Sequence, residues 1–418
     1  MLLRFGVSNF RSINERQELS MIADGSIKDS KEGLIEIDNN SLKETVLPAA
    51  LIYGANASGK TSLIQAFETM CLFVMSCTNT QYIETIYDPF RLDDEIRDKP
   101  SSFDIDFIVD GIRYHYGFSI SKSEVTEEYL YAFPQGKKRK LYERRGNLEG
   151  IDFGSSLGKK PRDIEQRTRK DVLFLTTAYQ FNYPVFRDIW SWLIVTMQIP
   201  TNASERKTLE RFFDPAIIPF LRDIGTGIEE YRFVEIHDNI EVSKSQLVPT
   251  FRVREKSASI LDIGYINNGK IQFGHKTKSE ILEFFDLEME SLGTRRIAIL
   301  LVYALKAIKN GSPLFIDELD ASLHTKLAEK IIQLFQNKAT NPNGAQLIAT
   351  THDTNLLSSA HLRRDQIWFT EKNPEQATQL YPLTDFNTRK EGNIEKGYLD
   401  GRYGAIPYGG SITSLFSK

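Results

Sequence analysis

ALIYGANASGKTSLI, residues 50–64, sets an apolar run ahead of Gly54, Gly59, Lys60 and Thr61, the spacing G-x-x-x-x-G-K-[ST] of a phosphate-cradling loop. Residues 49–53 read as a buried strand that delivers the chain to a tight turn. Gly54 and Gly59 permit backbone angles and close approaches that a Cβ would block, so that successive N–H groups converge on phosphate oxygens at a helix N-terminus. Lys60 adds a point charge for the outer phosphates, and Thr61 a hydroxyl for Mg²⁺. From Ser62 the pattern turns helical, with Leu63, Ala66 and Phe67 on one face. Strand, loop and helix follow in the order a nucleotide site requires.

Bulk properties set the frame. At 418 residues the chain exceeds what one core usually covers, so the expectation is a nucleotide-binding core with one elaborated insertion or two lobes. Lys plus Arg at 52 against Asp plus Glu at 56 leaves −4, which excludes a uniformly basic nucleic-acid binder but not local patches. Cys71 and Cys77 stand six apart without a C-x-x-C or a His cluster, the pattern of buried free thiols in a reducing cytosol. The opening MLLRFGVSNFRS meets Arg4 after three residues and lacks a signal-type apolar region, and the longest apolar run, 297–305, is too short to span a bilayer. A cytoplasmic protein with no membrane association is expected.

In chain order, residues 2–7 and 17–23 are strand-like and flank a polar turn, predicting an N-terminal hairpin, and 24–47 read as a surface loop. Short alternating segments over 101–145, with Asp110-Gly111 between two of them, predict an antiparallel meander. Asp104 and Asp106 alternate with Phe103, Ile105 and Phe107, which favours a solvated strand face over a metal dyad. The basic runs 137–140 and 167–170 are read as solvated surface, with phosphate contact as the other reading. Residues 172–177 look like a further buried strand. Residues 186–228 read as mainly helical, interrupted by Pro200 and Pro215, and 229–237 and 250–273 return to strand-like alternation. No heptad array, internal repeat or low-complexity tract is present.

Downstream, Pro313-Leu314-Phe315-Ile316 is an apolar strand ending in Asp317 and Glu318, the Walker B arrangement. Asp317 would hold Mg²⁺ through its water shell, and Glu318 would polarise an attacking water. Residues 319–324, LDASLH, follow at once, and 346–353, QLIATTHD, form a second strand ending in His352. Ahead of Walker B, Glu290-Ser291-Leu292-Gly293-Thr294 opens a helix over 295–308.

Taken with Asn9-Phe10-Arg11-Ser12, these segments resemble the ABC-class ATPases of the SMC, RecF and OLD group, and in particular the bacterial AAA-type branch of phage-defence operons, including abortive-infection and Septu-like or PARIS-like ATPases. Residues 362–369 and 398–407 resemble that branch too. The resemblance implies an α/β fold: an ABC-type P-loop ATPase head with a mixed central sheet, an antiparallel β subdomain and an inserted helical region. Its parts would be an N-terminal lobe (1–185), an inserted helical and β region (186–285) and a C-terminal lobe (286–418), with no Toprim nuclease domain after His352. It further implies ATP and Mg²⁺ as cofactors, with ATP contacts at Gly54, Asn56, Ser58, Gly59, Lys60, Thr61 and Ser62.

In this family pattern residues 319–324 stand as the D-loop, His352 as the switch histidine and 290–294 as the signature L-S-G-G-Q, from which Glu290, Leu292 and Thr294 depart. Ser291, Gly293 and Asp320 would serve nucleotide on a second copy, making an ATP-dependent homodimer. A metal-sensing glutamine is expected on a strand end; Gln180 is the choice, beside Gln166. ATP hydrolysis through Glu318 and His352, control of a separately encoded effector such as a nuclease, and antiphage defence are the function implied. A RecF-like DNA-binding ATPase of repair or recombination is the alternative.

Overall fold

The computed structural model describes residues 1–27, 29, 33–37, 44–79, 82–146, 150–157, 160–195, 209, 212–235, 269–358, 362–387 and 392–406. Pro200 and residues 250–268, read above as a helix break and part of a strand, lie outside them.

A five-stranded mixed sheet forms the middle layer. Pro313–Ile316, Gln346–Thr350, Ala49–Gly54 and Ile367–Lys372 run parallel in that spatial order, and Thr378–Pro382 closes the sheet antiparallel. Parallel strands are covered on both faces and so read as continuous apolar runs. Here alternate residues serve two cores: Ala50, Ile52, Phe315 and Ile348 enter one, while Leu51, Tyr53, Leu314 and Leu347 enter the other. Strands from both ends of the sequence therefore share this sheet.

The first core is closed by a seven-stranded antiparallel sheet, ordered Ile151–Phe153, Arg139–Arg145, Val125–Phe133, Ile112–Ile120, Ser101–Val109, Leu2–Ser8 and Gln17–Ser20. The predicted hairpin and meander are both present, and they join because Leu2–Ser8 pairs with Ser101–Val109. Between the two sheets lies the phosphate-loop helix, Lys60–Ser76. Phe67 stacks on Phe315 of the mixed sheet at 3.7 Å and meets Phe5 of the antiparallel sheet edge-on at 5.3 Å. One ring thus touches both layers. The buried Gln346 side chain accepts from the Leu2 N–H at 2.7 Å and donates to the Leu2 carbonyl at 2.9 Å, tying the first strand to the mixed sheet. Cys71 and Cys77 are buried thiols outside any disulfide, as expected, and burial pushes the Cys77 thiol up to about 11.

The second core packs Leu292–Asn310 and Thr325–Gln336 on the opposite face of the mixed sheet. Beside them stands a three-stranded antiparallel sheet, Ile228–Glu235, Gly269–Lys276 and Leu282–Asp286.

Three expectations are corrected. Residues 172–177 are not a strand: Phe174–Gln180 is a buried helix. A short apolar run fits either element, and the decision is made far away, where the buried Glu128 carboxylate accepts the N–H groups of Phe174 and Leu175 at 2.6 and 3.0 Å. Asp104 and Asp106 are not a solvated face. Asp104 pairs with Arg16 at 2.6 Å, and the nearly buried Asp106 pairs with Arg113. The stretch 24–47 carries a small ladder, Ile35–Glu36 against Thr45–Val46.

Because the Phe67 ring bridges both sheets, Phe67→Ala is expected to cost about 3–5 kcal/mol of stability. Urea unfolding followed by circular dichroism measures it, and a loss under about 1 kcal/mol would mean the helix is not held by this contact.

Candidate nucleotide site

The strand Ala49–Gly54 ends inside the sheet, so its successor loop emerges at the carboxyl edge between two neighbours. Gly59 has φ +107, and a Cβ there would lie 2.0 Å from Thr378 Oγ1, so both conformation and space demand glycine. The loop is fastened from below by hydroxyls. Ser58 Oγ shares a 2.6 Å hydrogen bond with Thr370 Oγ1, and Thr378 Oγ1 donates to the Ser58 carbonyl at 2.9 Å. The Ser58 side chain is thus buried against the sheet and positions the loop, while Asn56 and Thr61 are exposed.

Lys60 is buried, its Nζ donating to the carbonyls of Gly54 and Ala55 at 2.6 and 3.1 Å. Burial pushes this ammonium below its ordinary value, and the charges of Asp317, Asp320 and Glu318 pull it back up. The phosphate-loop lysine and the acids after Pro313–Ile316, about 260 residues apart in sequence, share one electrostatic environment.

Each acid is oriented by a neighbour. Thr350 Oγ1 donates to Asp317 Oδ1 at 2.6 Å and accepts the Glu318 N–H at 2.8 Å. Arg296 donates to the carbonyls of Asp317 and Glu318 at 3.2 and 3.3 Å. Glu318 adopts φ +54, which turns its side chain out to the surface. Asp320 Oδ1 accepts from Thr351 Oγ1 at 2.8 Å and from the His352 N–H at 3.1 Å, leaving the His352 ring exposed.

Ser291 caps the helix Leu292–Asn310, accepting the Thr294 N–H at 3.1 Å. A Cβ on Gly293 would lie 3.0 Å from the Ser322 carbonyl, so this turn packs against Ser322. The structure therefore gathers Lys60, Asp317, Glu318, Asp320 and His352, and it seats Ser291 and Gly293 beside them.

It does not bring Gln180 there. Gln180 ends the helix Phe174–Gln180 and donates to Thr78 Oγ1 at 3.4 Å, past the far end of the 17-residue phosphate-loop helix. At 1.5 Å per residue that is roughly 25 Å from the loop. Gln180 is withdrawn as a metal ligand, because the strand expected to carry it is a helix; Gln166, within Arg162–Arg167, is on a helix too.

Residues not anticipated complete the site. Ser12 Oγ donates to Ser62 Oγ at 2.8 Å and lies 2.8 Å from Thr378 Oγ1. Beyond Ser62 opens a cleft of about 310 Å³, walled by Arg11, Ser12, Phe90, Arg91, Lys372 and Gln376. Lys372 donates to Thr378 Oγ1 at 3.2 Å, and burial pushes its ammonium down.

The match to known proteins follows this geometry. Residues 49–358 fit the family model described as "AAA domain, putative AbiEii toxin, Type IV TA system", from the first residue of the phosphate-loop strand to just past His352. The chain belongs to that AAA family. No curated protein matches the sequence. Among solved structures the AAA protein is similar to an SmcHead bound to the C-winged helix domain of ScpA (12% identity, TM-score 0.41, 91% of this chain and 96% of that one). It is likewise similar to the SMC head domain from Thermotoga maritima (12%, 0.40, 91% and 98%).

The residues present fit a magnesium nucleotide. The N-terminus of the Lys60–Ser76 helix has no side-chain cap, so its first-turn N–H donors are left for a partner such as a phosphate oxygen. Asp317 is a carboxylate braced by a hydroxyl, the hard oxygen donor Mg²⁺ prefers. No group of three or more His, Cys, Asp or Glu side chains that could hold a metal ion exists among the described residues.

Thr350→Val in this AAA protein keeps shape but strands both the Asp317 carboxylate and the Glu318 N–H. Stability is expected to fall by about 1–3 kcal/mol. Chemical denaturation without nucleotide checks this, and an unchanged midpoint would remove Thr350 from its bridging role.

Proposed function

We propose that this AAA protein binds and hydrolyses ATP with Mg²⁺, pairs with a second copy around the nucleotide, and through that cycle governs a separately encoded effector in antiphage defence. The observation that carries the reading is the sheet edge itself: Asp317 and His352, the latter tied to Asp320, follow the two strands on one side of the strand that ends in the loop of buried Lys60, next to an uncapped helix N-terminus. Bound Mg-ATP would supply the phosphoanhydride and a neutralising cation. Gly54, Asn56, Gly59, Lys60, Thr61 and Ser62 would hold the phosphates through backbone N–H groups, ammonium and hydroxyls, and the cleft beyond Ser62 would take the nucleoside end. Thr61 and Asp317 would hold the cation. Glu318 would polarise the attacking water and His352 would meet the terminal phosphate.

Ser291 and Gly293 sit at an exposed helix start, where a second copy would reach them with its own nucleotide. Charge-assisted contacts of about 1.5–3 kcal/mol each would make pairing depend on ATP. The defence role draws on the family description, which names a putative AbiEii toxin of a Type IV TA system; the separately encoded effector is an expectation from the sequence resemblance alone. DNA binding draws less support. Net charge is −4, and Lys140 and Arg169, from the two basic runs, are paired with Asp152 and Asp171. No helix among the described residues is long and apolar enough to cross a membrane.

Lys60→Ala should abolish ATP binding measured by calorimetry; retained tight binding would refute the loop assignment. Glu318→Gln should keep binding, lower the steady-state hydrolysis rate by about 10²-fold or more, and accumulate an ATP-dependent dimer in light scattering. A hydrolysis rate equal to that of the unaltered protein would take Glu318 out of the chemistry.

A further inference from the structure

The turn that begins the helix Leu292–Asn310 is held from two sides. On one side, the Gly293 Cα faces the Ser322 carbonyl, and Ser322 follows Asp320, which binds the His352 N–H. On the other side stands a pair outside the nucleotide site. His275 Nε2 lies 2.7 Å from Glu290 Oε1, and the Glu290 side chain is only 8% exposed. Glu290 immediately precedes Ser291, and its N–H donates to the Leu287 carbonyl at 3.1 Å. His275 belongs to the central strand of the three-stranded sheet, pairing with Ile228 on one side and Glu283 on the other. Its ring meets Phe285 edge-on at 5.6 Å, and its Nδ1 faces the left-handed turn at Gly227.

The placement has a physical consequence. A carboxylate this buried needs a hydrogen-bonding partner, and losing that partner costs the full desolvation penalty. Glu290 can therefore leave the sheet only at high cost, and Ser291, one peptide bond away, inherits its position. We infer that His275 and Glu290 are positioning residues: their bond fixes the 291–293 corner to the three-stranded sheet, so that the placement of this sheet sets how well the corner completes a partner's nucleotide site. The inference rests on the nucleotide-bridged pairing proposed above. A contiguous chain then runs from His275 through Glu290, Gly293, Ser322 and Asp320 to His352, and a displacement of the sheet reaches the switch histidine through contacts already in place.

The test uses the full chain as His275→Ala, His275→Gln and Glu290→Leu, the last carrying the residue of the signature pattern. Steady-state ATPase assays should show kcat lowered about tenfold or more in His275→Ala and Glu290→Leu, with KM for ATP within about twofold, because each protomer's own phosphate loop is untouched. His275→Gln keeps a donor toward Glu290 and should recover most of the lost kcat. Without nucleotide, amide hydrogen exchange over residues 291–296 should quicken about tenfold in His275→Ala while residues 60–64 keep their protection. An unchanged kcat in both disruptive variants overturns the inference, as does a raised KM at constant kcat, a folded His275→Gln as impaired as His275→Ala, or unaltered exchange over 291–296. If the unaltered protein hydrolyses no ATP, the functional proposal itself fails, and the exchange comparison alone decides whether His275 holds the corner.

Discussion

Parallel hydrogen bonding in register across four strands is the constraint on which everything else depends. Ile316 pairs with Ala349, Thr350 with Ile52, Ile52 with Trp368, and Gly54 with Thr370. Neighbouring strands lie about 4.8 Å apart, so the residues that follow these pairs leave the sheet side by side at its carboxyl edge, where ligands of open α/β sheets bind. Asp317, Thr351 and the phosphate loop are neighbours because their strands are. The price of this arrangement is a sheet that must be covered on both faces. The phosphate-loop helix and antiparallel sheet cover one side, and the Leu292–Asn310 and Thr325–Gln336 helices the other.

Around that edge the orienting work is done mostly by hydroxyls. Thr350 braces Asp317, Thr351 braces Asp320, Thr370 and Thr378 fasten the loop, and Ser12 bridges Ser62 and Thr378. Threonine suits a strand because its branched Cβ packs on a pleated surface, and its oxygen donates and accepts without adding charge. A lysine or arginine in the place of Thr350 would neutralise the carboxylate it was meant to aim. The shell orients the acids without adding a charge of its own.

The sequence made the motif-bearing part of this site legible because phosphate chemistry dictates local letters: a glycine where φ must be positive, a lysine and hydroxyl in a fixed loop, two acids after an apolar strand. The N-terminal hairpin and meander were legible from periodicity, whereas the mixed sheet was an expectation carried by the family resemblance. What escaped notice depends on distant partners. Ser58 meets Thr370 across 312 positions, and no local pattern announces it. Gln180 went astray because residues 172–178 are buried on every side, which erases the difference between a strand and a short helix; Glu128, 46 positions before Phe174, settles the matter with its carboxylate. Asp104 and Asp106 alternate like a wet strand face, yet Arg16 and Arg113 lie over them.

Glu318 shows how far the surroundings impose local geometry. A left-handed conformation costs a non-glycine residue roughly 1–2 kcal/mol, and it persists only where neighbours over-determine it. Here the Glu318 N–H is held by Thr350 Oγ1, the Leu319 N–H by the Thr350 carbonyl, and the Glu318 carbonyl by both Arg296 and the Ala321 N–H. Glycine would relieve the strain but carry no carboxylate, and aspartate or asparagine tolerate this region better yet stop one methylene short. A glutamate at φ +54 is thus held there by the contacts around it rather than by its own preference. Glu318 is exposed while Asp317 beside it is braced by Thr350 at the sheet edge, so the two adjacent acids stand in different surroundings.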